Sequence, residues 1–192
     1  KYLYIIGLPL SVGIFLLADR LIYFFYGKTY AGSIIALQII SFYLFIKFIN
    51  FLFGTILSSI NRQGKRMIGQ GVTALFNIVL NLLLIPKIGY VGAAWATFAT
   101  EIFLFIVYYW YVSKNWYFYN FGNILVKPII AVAIMFLFIK YVGLGLATTI
   151  SLSILIYFAV LLILKTLDKD DYNIIKTIFK NGKIRADIQL PS

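Results

Sequence analysis

Apolar residues along this chain form long continuous runs separated by short polar segments, without the alternation that is typical of a half-buried strand. Each run can be extended to about 20 residues, the length that an α-helix needs to cross the hydrocarbon core of a bilayer. Backbone groups in hydrocarbon must pair within their own segment, so these runs predict an all-α, polytopic membrane helix bundle. About six spans are predicted, at residues 2–26, 34–60, 67–85, 88–112, 124–142 and 144–164.

The polar segments between the runs contain residues that break helices. Gly64 lies inside the sequence NRQGKR, and Pro86 ends the third span because proline cannot donate the next helical hydrogen bond. Pro86-Lys87 is therefore predicted to be a tight hairpin between two antiparallel spans. Pro9 is a candidate for a kink in the first span, and a hinge is expected around Gly143.

Composition and charge agree with a membrane location. The chain is 62% hydrophobic, with a mean hydropathy of +0.95, against roughly 45–50% apolar residues in a soluble domain. Its net charge of +11 fits the positive-inside rule if the first span starts in the cytoplasm, and it needs no nucleic-acid partner. The outer side then carries Lys28, Lys87 and Lys140, and the cytoplasmic side carries Lys1, Arg62, Lys65, Arg66, Lys114, Lys127, Lys165, Lys169, Lys176, Lys180, Lys183 and Arg185.

The chain divides into a six-span transmembrane lobe at 1–166 and a basic cytoplasmic tail at 167–192. The tail is predicted to form a short amphipathic helix on anionic lipids of the inner leaflet, and a solvated tail is the alternative. Because residue 1 is lysine, an N-terminal part of the protein is expected to be missing. The expected location is the plasma or inner membrane, with several spans and a cytoplasmic C-terminus.

Residue usage excludes most catalytic chemistry. The chain has no histidine and no cysteine, which removes imidazole bases, thiolate nucleophiles and the usual zinc and iron–sulfur ligands. Only six acidic residues occur, and most of them lie in the tail. We therefore predict no enzyme activity, no catalytic residue, no metal site and no cofactor.

Charged residues inside the spans are the candidate functional groups, because a buried charge in a membrane is costly and usually marks a pathway. Lys47 lies near the middle of the second span, on one helical face with Tyr43 and Asn50. This face predicts a cationic patch that binds an anionic phosphate or sugar acid. The alternative is a structural ion pair between Lys47 and Glu101, which lies halfway through the fourth span.

Other polar residues in or near the spans are further candidates for charge pairing, substrate contact or helix packing. Glu101 is a charge-pair candidate or, alternatively, a proton or sodium site. Asp19 and Arg20 are expected near the outer interface, with Asp19 as a charge partner and Arg20 as a substrate contact. Asn77 and Asn81 share a face, where they either form interhelical hydrogen bonds or line a polar cavity. The small residues Gly92, Ala96 and Thr100 predict close helix packing.

The pattern of these segments resembles the C-terminal half of polysaccharide-biosynthesis membrane proteins, the O-antigen and exopolysaccharide repeat-unit flippases. That family belongs to the superfamily that also contains the MATE exporters. The resemblance covers residues 5–113. It rests on Pro9, Gly27-Lys28-Thr29-Tyr30, Ala36-Leu37, Asn61-Arg62-Gln63-Gly64-Lys65, Asn77, Asn81, Pro86, Gly89, Gly92-Ala93-Ala94 and Ala96-Thr97.

This resemblance implies that the chain is most of the C-terminal lobe of a MATE-like transporter with two lobes. The implied function is translocation of a polyprenyl-pyrophosphate-linked oligosaccharide across the cytoplasmic membrane by alternating access. The implied partners are that lipid-linked glycan and the N-terminal lobe of the same chain. Two alternatives stay open, a cation-coupled multidrug exporter of the MATE type and a membrane scaffold that transports nothing.

Overall fold

The computed structural model describes residues 2–114, 122–164 and 166, without the side chains of 122–125. All regular secondary structure in these residues is helical, which confirms the predicted all-α class. A short 3₁₀ helix at Lys28–Tyr30 joins the first two long helices. The long helices are α1 at Tyr2–Phe25, α2 at Ser33–Ser59, α3 at Gln63–Ser113, α4 at Gly122–Tyr141 and α5 at Leu146–Ile163.

Helix α3 is a hairpin of two arms, 63–87 and 90–113, because its backbone leaves helical geometry at Ile88 and Gly89. Gly89 has φ 59° and ψ −141°, a conformation that favours glycine over residues with a side chain. A Cβ atom at Gly92 would lie 2.5 Å from the carbonyl oxygen of Leu84, so the arms touch through their backbones just beyond the turn. This close approach confirms the packing role predicted for the small residues.

The reversal lies two residues later than predicted. Pro86 and Lys87 belong to the last turn of the first arm, and the chain turns at Ile88-Gly89. Proline cannot donate the helical hydrogen bond, but its fixed φ is compatible with a helix. The positive φ that reverses the chain is found at the glycine, and the hairpin therefore centres there.

Helices α1 and α2 run in opposite directions, and so do the two arms of α3. Ser11 of α1 donates a hydrogen bond of 2.6 Å to the carbonyl of Ser41 in α2, and Gly7 packs against Phe48. Along the hairpin, Asn77 pairs with Thr100 and Phe76 with Phe103, again in antiparallel order. The second arm of α3 lies parallel to α2, because Phe98 contacts Phe42 and Phe105 contacts Phe53.

The helices pack around two apolar cores. One joins α1, α4 and α5 and contains Leu17, Met135 and Leu161, and the other joins α2 and the second arm through Phe53, Leu57 and Leu104. Helix α1 lies between α2 on one side and the α4–α5 pair on the other. Both cores leave many large apolar side chains on the outside of the bundle, as expected of a protein surrounded by hydrocarbon.

Among the described residues, α1, α2, α3 and α5 are long and apolar enough to cross a membrane. Helix α3 counts once in this set although it turns back at Gly89, and α4 is not in the set. The count of about six spans and the division at residue 166 stay predictions. The predicted tail helix lies outside the described residues, since only residue 166 is described beyond the end of α5.

Candidate functional site

A cavity of about 140 Å³ opens between α2 and the two arms of α3, and we call it the Lys47 cavity. Phe51, Gly54 and Leu104 form its apolar wall. Two of its polar residues, Lys47 and Asn50, lie on the face of α2 that the sequence predicted, and the others come from α3. The polar lining residues are Lys47, Asn50, Arg66, Gln70, Glu101 and Tyr108.

Lys47 lies next to the midpoint of α2, about 20 Å along the axis from either end at the helical rise per residue. A lysine side chain is much shorter than that distance, so it cannot reach the end of its own helix. The ammonium group donates a hydrogen bond to the hydroxyl of Tyr43 and lies 4.9 Å from the centre of its ring. The side chain is still 55% exposed at the mouth of the cavity.

Glu101 is the anionic partner of Lys47. Its Oε1 atom lies 3.6 Å from the Lys47 Nζ atom, and its side chain is only 14% exposed. The structure thus brings together the two charged residues that the sequence placed at mid-span. A separation of 3.6 Å is long for a direct hydrogen bond, so the contact is a loose ion pair.

Asn50 anchors Glu101 independently of Lys47. The amide Nδ2 donates to the backbone carbonyl of Glu101 at 2.9 Å and to its Oε2 at 2.7 Å. The amide orientation is fixed, because a flip would place its oxygen against these two acceptors. Asn50 is 4% exposed, and its Oδ1 is buried without a hydrogen-bond partner among the described residues. Such an unsatisfied group is unusual in a native structure, and a water, an ion or a functional role at this position would explain it.

Arg66 is a cavity residue that the sequence analysis missed, because it was assigned to the cytoplasmic loop before a span starting at residue 67. Helix α3 starts at Gln63 instead, so Arg66 lies within its first turns. Its Nη1 donates to Ser58 Oγ at 2.9 Å, and its Nε lies 3.2 Å from the position of a Cβ atom at Gly54. Gly54 and Ser58 follow Lys47 at helical spacing on the same face of α2. The signal in the sequence was therefore a face with small residues near its end, followed a few residues later by an arginine.

The two asparagines of the first arm lie elsewhere. Asn77 donates to Thr100 Oγ1 across the hairpin at 2.9 Å, and Asn81 donates to the side-chain and backbone oxygens of Asn77. Neither lines the Lys47 cavity, whereas Gln70, two helical turns before Asn77 in the same arm, does. Of the two roles considered for the asparagines, the contact of Asn77 is an interhelical hydrogen bond, whereas Asn81 bonds within its own arm and supports Asn77.

Asp19 and Arg20 lie far along α1 from the Lys47 cavity. Arg20 donates from Nη1 to the backbone carbonyl of Leu144 at 3.2 Å, which ties the end of α1 to the segment before α5. Asp19 is exposed. The structure therefore brings Tyr43, Asn50 and Glu101 to Lys47, and it does not bring Arg20 or Asp19 there.

Four helices that are long and apolar enough to cross a membrane, with a polar cavity between two of them, define the chain as a helical membrane protein. It is similar to an uncharacterized membrane protein of Methanocaldococcus jannaschii, with 30% identity over 113 residues. The match covers 59% of this chain and 22% of that relative, so the chain spans only a small part of its length. No family model and no solved structure matches the chain.

Proposed function

We propose that the chain is part of a flippase that moves a polyprenyl-pyrophosphate-linked oligosaccharide across the cytoplasmic membrane by alternating access. In this proposal it supplies about six spans of one MATE-like lobe, with a cytoplasmic C-terminus and a tail on anionic lipids. A second lobe of the same full-length chain would face the Lys47 cavity. Two observations support a topology with several spans. Each arm of α3 is long enough to cross the hydrocarbon core, and the two arms run in opposite directions.

The observation that carries the proposal is the charge of the Lys47 cavity. Two cations, Lys47 and Arg66, line it together with one carboxylate, Glu101. A net positive cavity between apolar helices would attract an anionic headgroup, and charge-assisted hydrogen bonds to phosphate are strong away from bulk water. The exposed Lys47 ammonium would face a water-filled cleft and not acyl chains, because a charge in hydrocarbon is expensive.

The cavity size supports a headgroup-sized ligand. About 140 Å³ is smaller than the roughly 300–1,000 Å³ of typical small-molecule pockets. It suits a phosphate or diphosphate headgroup and not a whole oligosaccharide. The glycan would then lie between this lobe and its partner lobe, with the polyprenyl chain in the bilayer.

The test is a flipping assay with the full-length protein in proteoliposomes that contain a labelled polyprenyl-pyrophosphate oligosaccharide. We expect Lys47→Ala to lower the initial rate about tenfold or more, because one charge-assisted contact is lost. Lys47→Arg should keep part of the activity. Lys87→Ala is the matched control, since Lys87 is exposed at the hairpin. Equal rates for wild type and Lys47→Ala would remove Lys47 from the pathway, and no flipping by wild type would refute the function.

A cation-coupled multidrug exporter is the second candidate, and the Asn50–Glu101 pair favours it. A carboxylate that is 14% exposed and held by an amide is a possible proton or sodium site. This candidate predicts ethidium efflux that depends on an ion gradient and is abolished by Glu101→Gln. A protein with neither efflux nor flipping would fit a membrane scaffold.

A further inference from the structure

The Lys47 cavity presents its two cations at different depths. Glu101 and Asn50 contact each other beside Lys47, and Tyr43 lies one turn away on the side opposite Gly54. The Arg66 guanidinium lies beside Gly54 and Ser58, towards the end of α2. Lys47 and Gly54 are separated by two helical turns, which is about 10 Å along the axis. The cavity therefore extends from the middle of α2 towards the end that meets the start of α3.

The Arg66 guanidinium is held in a defined place and keeps most of its hydrogen-bonding capacity. A guanidinium carries five N–H donors, and the bond to Ser58 uses one of them. Gly54 makes room for the group, since a Cβ atom there would lie 3.2 Å from Nε. Arginine of this kind suits phosphate recognition, because its planar fork pairs with two oxygens at once.

Lys47 can move away without releasing Glu101, although its ammonium then leaves the hydroxyl and ring of Tyr43. Its ion pair with Glu101 is loose, at 3.6 Å, and Glu101 keeps its hydrogen bonds to Asn50 when the ammonium moves away. The flexible lysine stem can then point along the cavity towards Arg66. A bound anion would replace Glu101 as the counter-ion of Lys47.

From this geometry we infer that Arg66 and Lys47 bind the two ends of a lipid-borne diphosphate, with Arg66 as the determinant that distinguishes a diphosphate from a monophosphate. Lys47 is rooted on α2, and the guanidinium of Arg66, which comes from α3, lies beside Gly54, about two turns further along α2. A single phosphate group would contact one of these two cations more easily than both, whereas a diphosphate presents oxygens at both ends. The inference deepens the proposed function and rests on it. In the predicted topology, the Arg66 end of the cavity is the cytoplasmic end.

The experiment measures equilibrium binding to the full-length protein in nanodiscs, by calorimetry, with no transport step. The probes are inorganic pyrophosphate, inorganic phosphate and farnesyl pyrophosphate. Wild type should bind pyrophosphate about tenfold or more tightly than phosphate, because a second charge-assisted contact forms. Farnesyl pyrophosphate should bind more tightly still if the diphosphate is lipid-borne, and equal affinity for the two diphosphates would refute that source.

Arg66→Gln is the informative variant, because glutamine keeps a donor for Ser58 and removes the charge. We expect it to lose the preference for pyrophosphate over phosphate. Arg62→Gln is the matched control, since Arg62 is exposed in the same segment and does not line the cavity. Thermal unfolding of both variants verifies that they are folded, and Arg66→Lys, which keeps the charge, should recover part of the preference.

Undiminished pyrophosphate preference in folded Arg66→Gln would overturn the inference, as would a wild-type protein that binds both anions equally. Neither result depends on flipping. A protein that flips the lipid-linked glycan but shows no role for Arg66 would refute this inference alone. A protein that shows the Arg66-dependent preference but flips nothing would refute the proposed function alone.

Discussion

The hydroxyl of Tyr157 in α5 donates a hydrogen bond of 2.7 Å to the backbone carbonyl of Ile5 in α1. That carbonyl would normally accept from the backbone N–H four residues later, but this position is Pro9, which has no N–H. Tyr157 is 1% exposed and thus satisfies, from another helix, a carbonyl that the proline leaves free. The same contact fixes how α1 and α5 pack.

The first prediction concerns this hydrogen bond. Tyr157→Phe should lower the free energy of unfolding by about 1–3 kcal/mol, because the buried Ile5 carbonyl is left without a donor. Pro9→Ala restores a backbone N–H for that carbonyl, so Tyr157→Phe should cost less in the Pro9→Ala background. Thermal unfolding of the four proteins in detergent measures this double-mutant cycle, and strictly additive effects would contradict the explanation.

The second prediction concerns the hairpin of α3. Gly92→Ala should destabilise the protein by about 1–3 kcal/mol, because the new methyl group would lie 2.5 Å from the Leu84 carbonyl oxygen and force the arms apart. Gly71→Ala is the matched control in the same helix, since nothing lies within 4 Å of a Cβ atom there. Because alanine favours helix over glycine, the control should be neutral or stabilising. Equal destabilisation by both changes would refute the close contact.

A third prediction concerns the hydrogen bond between Asn77 and Thr100. Its two residues should show a coupling of about 0.6 kcal/mol when both are changed to alanine, the average for interhelical hydrogen bonds in membranes. Thr55 provides the control pair with Asn77, because Thr55 is exposed and bonds only within its own helix turn, to Phe51. A coupling near zero for Asn77 and Thr100 would show that the bond contributes nothing to the hairpin.

The fourth prediction concerns the internal counter-ion. Glu101→Gln should keep the hydrogen bond from Asn50 while removing the charge beside Lys47. Affinity for inorganic pyrophosphate should then rise up to about fivefold, because the ion pair is loose and its lysine is exposed, and such pairs contribute about 0–1 kcal/mol. Calorimetry measures the change, and Asp19→Asn is the control for losing an acid that lies away from the cavity. Unchanged affinity in Glu101→Gln would show that the carboxylate does not compete with the ligand.

Hydrophobic periodicity predicted the helical class and most helix ends to within a few residues. It located the hairpin between the third and fourth runs but centred it on Pro86-Lys87, since proline is the stronger helix breaker in sequence. The positive φ that reverses the chain is at Gly89. The sequence alone does not show whether a glycine in an apolar run adopts a helical or a left-handed conformation. The start of α3 was placed four residues late, because Arg66 looked like a loop charge.

The candidate site was predictable in part. Depth and charge alone pointed to Lys47 and Glu101, because few ionisable residues occur inside the apolar runs. The partition of the asparagines was not predictable, since Asn50 holds Glu101, Asn77 bonds across the hairpin to Thr100, and Asn81 bonds to Asn77 within its own arm. Both uses look the same in a helical pattern, and only the rotation of each helix against its neighbours distinguishes them.

The sequence by itself determined that the chain is a bundle of long apolar helices with a few charges at mid-depth, because length, hydropathy and helical period are local properties of the chain. Only the tertiary structure decided that Arg66 shares a cavity with Lys47 and that Tyr157 completes the hydrogen bonding left open at Pro9. Those partners lie on different helices, and Tyr157 is 152 residues from the carbonyl that it contacts. Their meeting depends on how the helices pack and rotate against each other, and no local pattern encodes that.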